Sequence, residues 1–312
     1  MGFLAVKAGF SLSEATTLAF ASQYVDHHDR TYEISTPQGL VRSSPTQNYS
    51  FWDPDTVTEV LAPFHFLPAG PAAREFSPRR DGAHHPWDVR PNSEPAKRLL
   101  VSALKTRDLC RIGIALHTFA DTWAHQNFTA RNEVWNRLDS SNPLPSPGHA
   151  HAGRSPDSWQ ESWVDPRLIE PQVVNELRFQ DAARKIYRYL CVFRGKEFRD
   201  EDAVGAELTS LMAASRYRET SEERMLDFIV SLGMEPYRAD LWRDQALEVE
   251  PGPDAPRWKK VGDAVLQKFG MGEPCQARAK VNFETSLFAG WLRAAEAHRG
   301  LAKALVAEAI SS

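Results

Sequence analysis

Ile114-Ala-Leu-His-Thr-Phe-Ala-Asp-Thr-Trp-Ala-His-Gln126 is the stretch that decides how the rest of the chain is read. His117, Asp121 and His125 recur in it at every fourth position. Four residues advance an α-helix only about 40° past a full turn, so the three side chains leave one face over two turns. The helix is otherwise apolar, and ionisable groups buried there call for a function. Two imidazoles with a carboxylate between them offer neutral nitrogen and anionic oxygen, a donor set that suits zinc or another first-row dication. One ion does not reach all three, because the outer pair is about 12 Å apart along the backbone. That spacing suits an Asp121 shared between two ions. The plain alternative pairs Asp121 with one histidine and leaves the other in solvent or a polar core. Thr118, Thr122 and Gln126 can orient the ligands, or are simply polar positions.

Upstream, Ser93-Glu94-Pro95 is a helix opening. Leu99, Leu100, Ala103, Leu104, Cys110, Gly113, Ile114 and Leu116 then keep one apolar face, so the spacing predicts a single central helix running to about Phe128. Ser11-Leu-Ser-Glu14 has the capping-box form and opens a helix from Leu12 to about His28, with small Ala15, Ala19 and Ser22 permitting close approach. Asp26 falls at the end of that helix, where a carboxylate packed against the central helix fits a metal ligand; its plain reading is a polar C-terminal residue. Asp26-His27-His28 has the form of a phosphoesterase signature, but the aspartate motifs after parallel strands that such enzymes need are missing.

Prolines punctuate Thr31 to Pro95, which reads as ordered loops with one short helix around Thr56 to Leu61. A second irregular stretch, Asp139 to Pro171, holds His149 and His151 and is long enough to drape over the central helix. Helical periodicity returns in Val173 to Phe193, Asp202 to Arg218, Ser221 to Gly233, Tyr237 to Leu247, Ala255 to Phe269 and Gln276 to Ala309, with a loop at Glu250 to Pro256. Little alternation supports a sheet. The expected fold is mostly α: a metal-binding helical core with long ordered loops over residues 1–195, and a C-terminal helical region, 196–312, packed on it or continuous with it.

The 312 residues carry 37 basic and 41 acidic side chains, a net charge of −4, so no overall positive field is expected to hold extended nucleic acid. Cys110, Cys191 and Cys275 are an odd, widely spaced set without a CxxC and read as reduced core thiols. No apolar run approaches the roughly 20 residues that cross a bilayer. Met1 to Phe10 is weakly apolar, contains Lys7 and leads into a helix cap, unlike a secretory signal. The expectation is a soluble, cytoplasmic protein with no transmembrane segment.

The order of these motifs resembles that of the zinc-dependent phospholipase C and single-strand nuclease superfamily, in particular an uncharacterised bacterial branch of it. The shared motifs are Ala-Ser-Gln-Tyr-Val-Asp at Ala21 to Asp26, Phe-His-Phe-Leu-Pro at Phe64 to Pro68, the helix motif at His117 to Gln126, and Gly148-His149. The resemblance covers roughly the first half of the chain, and the helix motif is its specific part. It implies a multi-helix phospholipase C-like core that holds up to three zinc ions and activates water against a phosphate ester. It also implies Asp26, His65, His117, Asp121, His125 and His149 as ligands, with Asp121 the bridge. The superfamily places an acid four positions after the last histidine; Gly153 stands there, which leaves Asp157 as the substitute. The interval from Asp121 to His125 is shorter than in the characterised enzymes. Met1-Gly2-Phe3-Leu4 reads as beginning just after an N-terminal segment that carries a histidine ligand of its own, which implies a truncated start or fewer ions, from one to three.

The functional expectation is a hydrolase of phospholipid head groups, nucleotides or small phosphoesters, with Asp26 or Asp157 taking a proton from metal-activated water. The alternative is a metal-stabilised binding or structural protein that has lost turnover; amide hydrolysis on the same frame is a third. His84 and His85 line the mouth of the site or are ordinary surface residues, His27, His28 and His151 adjoin proposed ligands, and His298 is structural. Trp52, Trp87, Trp123, Trp135, Trp159 and Trp163 stack on a base or acyl chain or, for most of them, pack the core.

Overall fold

Ser11 forms the capping box that its spacing from Glu14 predicts: the Ser11 amide donates to Glu14 Oε2 at 2.8 Å and the Glu14 amide donates to Ser11 Oγ at 3.3 Å. The computed structural model describes residues 1–70, 75–139, 144–214, 232–249, 265–266, 269 and 272–311. Helix α1, Gly2–Lys7, precedes the cap and α2, Leu12–His27, follows it. The fold is mostly α.

The single central helix expected from Ser93 to Phe128 is two. Helix α3, Glu94–Thr106, ends at Arg107 in the left-handed region (φ 59°), and Asp108 caps α4, Leu109–Ala124, by accepting from the amides of Cys110 and Arg111. The apolar face runs on across the break, which is why periodicity alone hid it; the signal was the N-cap aspartate. Helix α4 also stops one residue before His125, which sits at its C-cap.

Gly113 lets α2 and α4 nearly touch. A Cβ there would lie 2.5 Å from the Leu18 oxygen and 2.7 Å from Ala21 Cβ. This close approach brings the end of α2, with Asp26, over the middle of α4. The short helix expected near Leu61 is part of a longer broken segment: Pro54–Thr56, a π turn over Val57–Leu61, then Ala62–Phe64. Pro63 has no N–H to give the preceding turn, so the ladder widens before it. The segment delivers His65 at its end.

Beyond the loops, α5 spans Asn175–Arg194 and closes on Gly195 (φ 67°), α6 spans Glu201–Ala214, α7 spans Leu241–Ala246 and α8 spans Leu287–Ser311. Helix α8 packs on α4 and on Ala62–Phe64. His298, fully buried, joins them: its Nε2 donates to Pro63 O at 3.0 Å, and Thr118 Oγ1 lies 3.1 Å away.

The reading of Gln276 to Ala309 as one helix is wrong at its start, where Cys275–Ala279 is a strand. Strands β1 (Tyr32–Thr36) and β2 (Gly39–Arg42) form a hairpin; β3 (Asn132–Glu133) pairs with β4 (Ser146–Pro147), and β5 (Ser162–Val164) with β6 (Gln172–Val174). Strands β7 (Leu247–Val249) and β8 (Cys275–Ala279) join the hairpin in a four-stranded sheet of order β2-β1-β8-β7, with Ile34 opposite Ala277 in the parallel pair. Strands of three to five residues carry at most two turns of alternation, as Tyr32 and Ile34 do in β1, which is too little to stand out against helical periodicity. Tyr237 to Leu247 is helical only over Leu241–Ala246. The expected helices Ser221 to Gly233 and Ala255 to Phe269 lie largely outside the described residues, as do the end of Asp202 to Arg218 and the loop Glu250 to Pro256. Among the described residues no helix is long and apolar enough to cross a membrane.

Candidate metal centre

His117 and Asp121 stand one turn apart on α4, and Asp26 reaches them from α2. His117 Nε2 lies 3.2 Å from Asp121 Oδ2 and 3.5 Å from Asp26 Oδ1. His65 enters from the end of the broken segment, with Nδ1 3.0 Å from Asp121 Oδ2, 3.9 Å from Asp26 Oδ1 and 3.3 Å from His117 Nε2. These five separations bracket the roughly 3.3 Å edge of a tetrahedron of donors about 2.0–2.1 Å from one zinc-sized ion.

A second cluster lies beyond Asp121. His125, His149 and Asp157 each turn one donor atom to a common point, all within 4.8 Å of one another, as do Asp26, His65 and His117 in the first. His125 Nε2 is 3.7 Å from Asp157 Oδ1, and His149 Nε2 is 3.4 Å from Asp157 Oδ2. Asp121 Oδ2 is 3.8 Å from His125 Nδ1, the ring nitrogen on the side of the first cluster, while Nε2 faces the second. All six ligands implied by the resemblance, together with Asp157, therefore meet at one place. Gly153 turns away with φ 59°, and its oxygen serves His149 instead.

The tautomers follow from the acceptors. His65 Nε2 faces Thr46 O at 2.9 Å, His125 Nδ1 faces His65 O at 2.8 Å and His149 Nδ1 faces Gly153 O at 3.1 Å. A carbonyl only accepts, so each of these nitrogens carries its hydrogen and, in the neutral ring, the other nitrogen presents a lone pair to its cluster. Lone pairs aimed at carboxylates and at one another repel unless a cation lies between them. In the metal-free chain a proton does part of this: burial lowers the His117 pKa, but Asp121 and Asp26 outweigh it and raise it to about 9. Burial also opposes ionisation of Asp121, yet His117 and His125 hold its carboxyl well below the usual range. Burial keeps His125 below the ordinary imidazole value, against Asp121. The donor types, spacing and orientation fit a first-row divalent ion.

The clusters floor a cleft of about 880 Å³. Tyr49, Phe51, Trp52, Phe66, Phe179 and Phe269 supply its aromatic walls, and among the described residues no Lys or Arg lines it. Phe66 stacks on the His125 ring at 4.1 Å, and His149 stacks on the same ring at 5.1 Å. Gly148 makes this possible, since at φ 48° a Cβ would sit 3.0 Å from the rings of both Phe51 and Phe66.

Sequence profiles place the chain. The profile of a family of unknown function, DUF6765, matches residues 1–305. The chain belongs to DUF6765. No curated protein and no solved structure matches it. Within this DUF6765 chain several expected contributors stand elsewhere. Thr118 bonds the oxygen of Phe64, the residue before His65, at 2.9 Å, and Thr122 bonds Phe119 O at 2.7 Å, so neither hydroxyl contacts a histidine or carboxylate of the clusters. His85 lies 3.4 Å from Glu133 and packs at a 38° tilt against Trp135. His27 bonds Gln23 O at 3.1 Å, and His28 is buried among Tyr24, Tyr32, Phe288 and Trp291. Of the six tryptophans named above, Trp52 lines the cleft, 59% exposed and stacked on Phe269, whereas Trp87 and Trp123 are buried. Sequence reasoning missed the oxygens of Thr46, His65 and Gly153, because every residue offers a carbonyl and nothing in a side chain marks the one that is used.

Proposed function

We propose that this chain is a metal-dependent phosphoester hydrolase, with zinc held at each of the two clusters, on a frame like that of the zinc-dependent phospholipase C and nuclease superfamily. The observation that carries the reading is the commitment of His65, His125 and His149 to main-chain oxygens, which leaves their remaining nitrogens facing the carboxylates. Lone pairs and anions turned towards one another at the floor of a cleft are costly without a cation, and this geometry repeats in both halves.

Metal ions at such a pair of sites lower the pKa of water towards neutrality and neutralise phosphoryl oxygens. The residues of the chain do the rest. The side chains of His65, His117 and Asp121 are largely buried, while those of Asp26 and Asp157 are 40% and 51% exposed. Those two acids are the groups placed to accept a proton from water. Because the described lining carries three carboxylates and no Lys or Arg, an anionic substrate is attracted only after metal binding. The aromatic walls exclude water on one side and accept an apolar or aromatic leaving group.

A second reading, a metal-stabilised binding protein without turnover, draws on Gly153 at the position where the superfamily has an acid. Elemental analysis of purified protein beside Asp121→Ala, with hydrolysis of bis-(p-nitrophenyl) phosphate on the same samples, separates the two. Two zinc equivalents that disappear in the variant together with hydrolysis support the enzyme. Metal without hydrolysis of this or a wider phosphoester panel favours the binding protein, and no metal in the wild type sinks both.

A further inference from the structure

Asn175 and Arg178, one turn apart on α5, grip the loop that carries Asp157. Asn175, fully buried, donates through Nδ2 to Ser155 O and to Ser158 O, each at 2.6 Å. Arg178 donates through Nη1 to Trp123 O at 2.6 Å and to Ala124 O at 3.2 Å, through Nη2 to Pro156 O, and through Nε to Asn175 Oδ1 at 2.9 Å. Arg178 is 8% exposed, and these hydrogen-bond partners are all uncharged oxygens. Burying an arginine is costly, and such a residue is ordinarily found paired with a carboxylate. Here the Asp157 carboxylate acts on the guanidinium through space, while the hydrogen bonds of the fork join two main-chain segments. On one side it holds the end of α4 up to Ala124, the residue before His125; on the other it holds Pro156, the residue before Asp157.

We propose that Arg178, braced by Asn175, is a positioning residue for the second metal cluster, setting the distance between His125 and Asp157 by holding the peptide in front of each. The inference rests on the metal reading above. Asp157 sits on a single 3-10 turn, Ser155–Asp157, closed by its own bonds from Asp157 N and Ser158 Oγ to Arg154 O, and the brace is what ties that turn to the end of α4. A lysine keeps the charge, but its compact ammonium lacks the planar fork that reaches oxygens on both segments.

The test uses the whole protein, wild type beside Arg178→Lys, with Asn175→Ala as a second variant should the first fold poorly. Cobalt(II) is titrated calorimetrically, and hydrogen exchange is followed by mass spectrometry on the metal-free forms. The expected result is a second cobalt equivalent weakened about 10- to 100-fold, the range for loss of an outer-shell partner, with the first equivalent unchanged. Exchange should quicken over residues 153–158 and not elsewhere. An unchanged second equivalent overturns the proposal, and so does equal weakening of both equivalents with a general loss of protection, which marks a merely structural role. A wild type that takes up no cobalt sinks the metal reading instead. The exchange arm then still decides the brace: quickening confined to 153–158 supports it and unchanged exchange overturns it.

Discussion

The ring of His125 donates through Nδ1 to the main-chain oxygen of His65 at 2.8 Å, while the ring of His65 belongs to the other cluster. One residue thus serves both halves of the site, with its side chain in the first and its carbonyl orienting a ligand of the second. His65→Ala removes the ring and keeps the carbonyl. We expect it to abolish the first metal equivalent while weakening the second less than about tenfold, below the outer-shell range, read by cobalt titration. Loss of both together would mean that the clusters are not separable.

His298 makes the metal-free fold sensitive to acid. Burial, with Arg111 beside it, depresses its pKa to about 3 against an ordinary 6.5. The unfolded state therefore binds a proton below about pH 6.5 that the folded state refuses, so stability is fully present above that pH and falls as the pH drops towards 3. By pH 5 this amounts to about 2 kcal/mol. In melting curves at pH 7 and pH 5, His298→Gln, which keeps a donor for Pro63, should lose less stability than the wild type. Identical pH slopes would refute the assignment.

At Gly113 propensity and packing point in opposite directions. Alanine favours a helix over glycine by roughly 1 kcal/mol. The added Cβ would meet Leu18 O at 2.5 Å, however, and overpacking costs about 1–3 kcal/mol. We expect Gly113→Ala to be destabilised in denaturant melts and to bind metal more weakly, since Asp26 and His117 are forced apart. A more stable variant would show that α2 and α4 do not approach so closely.

Asp108→Ala tests the break in the central helix. If α4 begins at Leu109, removing the cap that serves Cys110 and Arg111 costs about 0.5–2 kcal/mol. A continuous helix would instead gain from alanine at an interior position. The sign of the shift in the denaturant midpoint decides between them.

Much of the site is legible along the chain. The fourfold spacing of His117, Asp121 and His125 needs only helical geometry, and the argument that one ion cannot reach all three agrees with their division between two clusters. The break before α4 is marked only by the N-cap Asp108, because the apolar face runs on across it. The sheet was beyond reach: β1 pairs with β8 about 240 residues away, and neither strand is longer than five residues.

By itself the sequence determined what local rules govern: a mostly helical chain, the cap on α2, and one helix face bearing histidine and carboxylate. These follow from interactions within a few residues, where side-chain type and spacing are sufficient. Tertiary structure alone decided which carbonyls take the ring hydrogens of His65, His125 and His149, how Asp26 reaches His117 past Gly113, and how Arg178 ties Pro156 to the end of α4. The physical reason is that a lone pair acquires its direction, and a buried charge its partners, only when distant segments close on them, and main-chain oxygens leave no trace in the sequence.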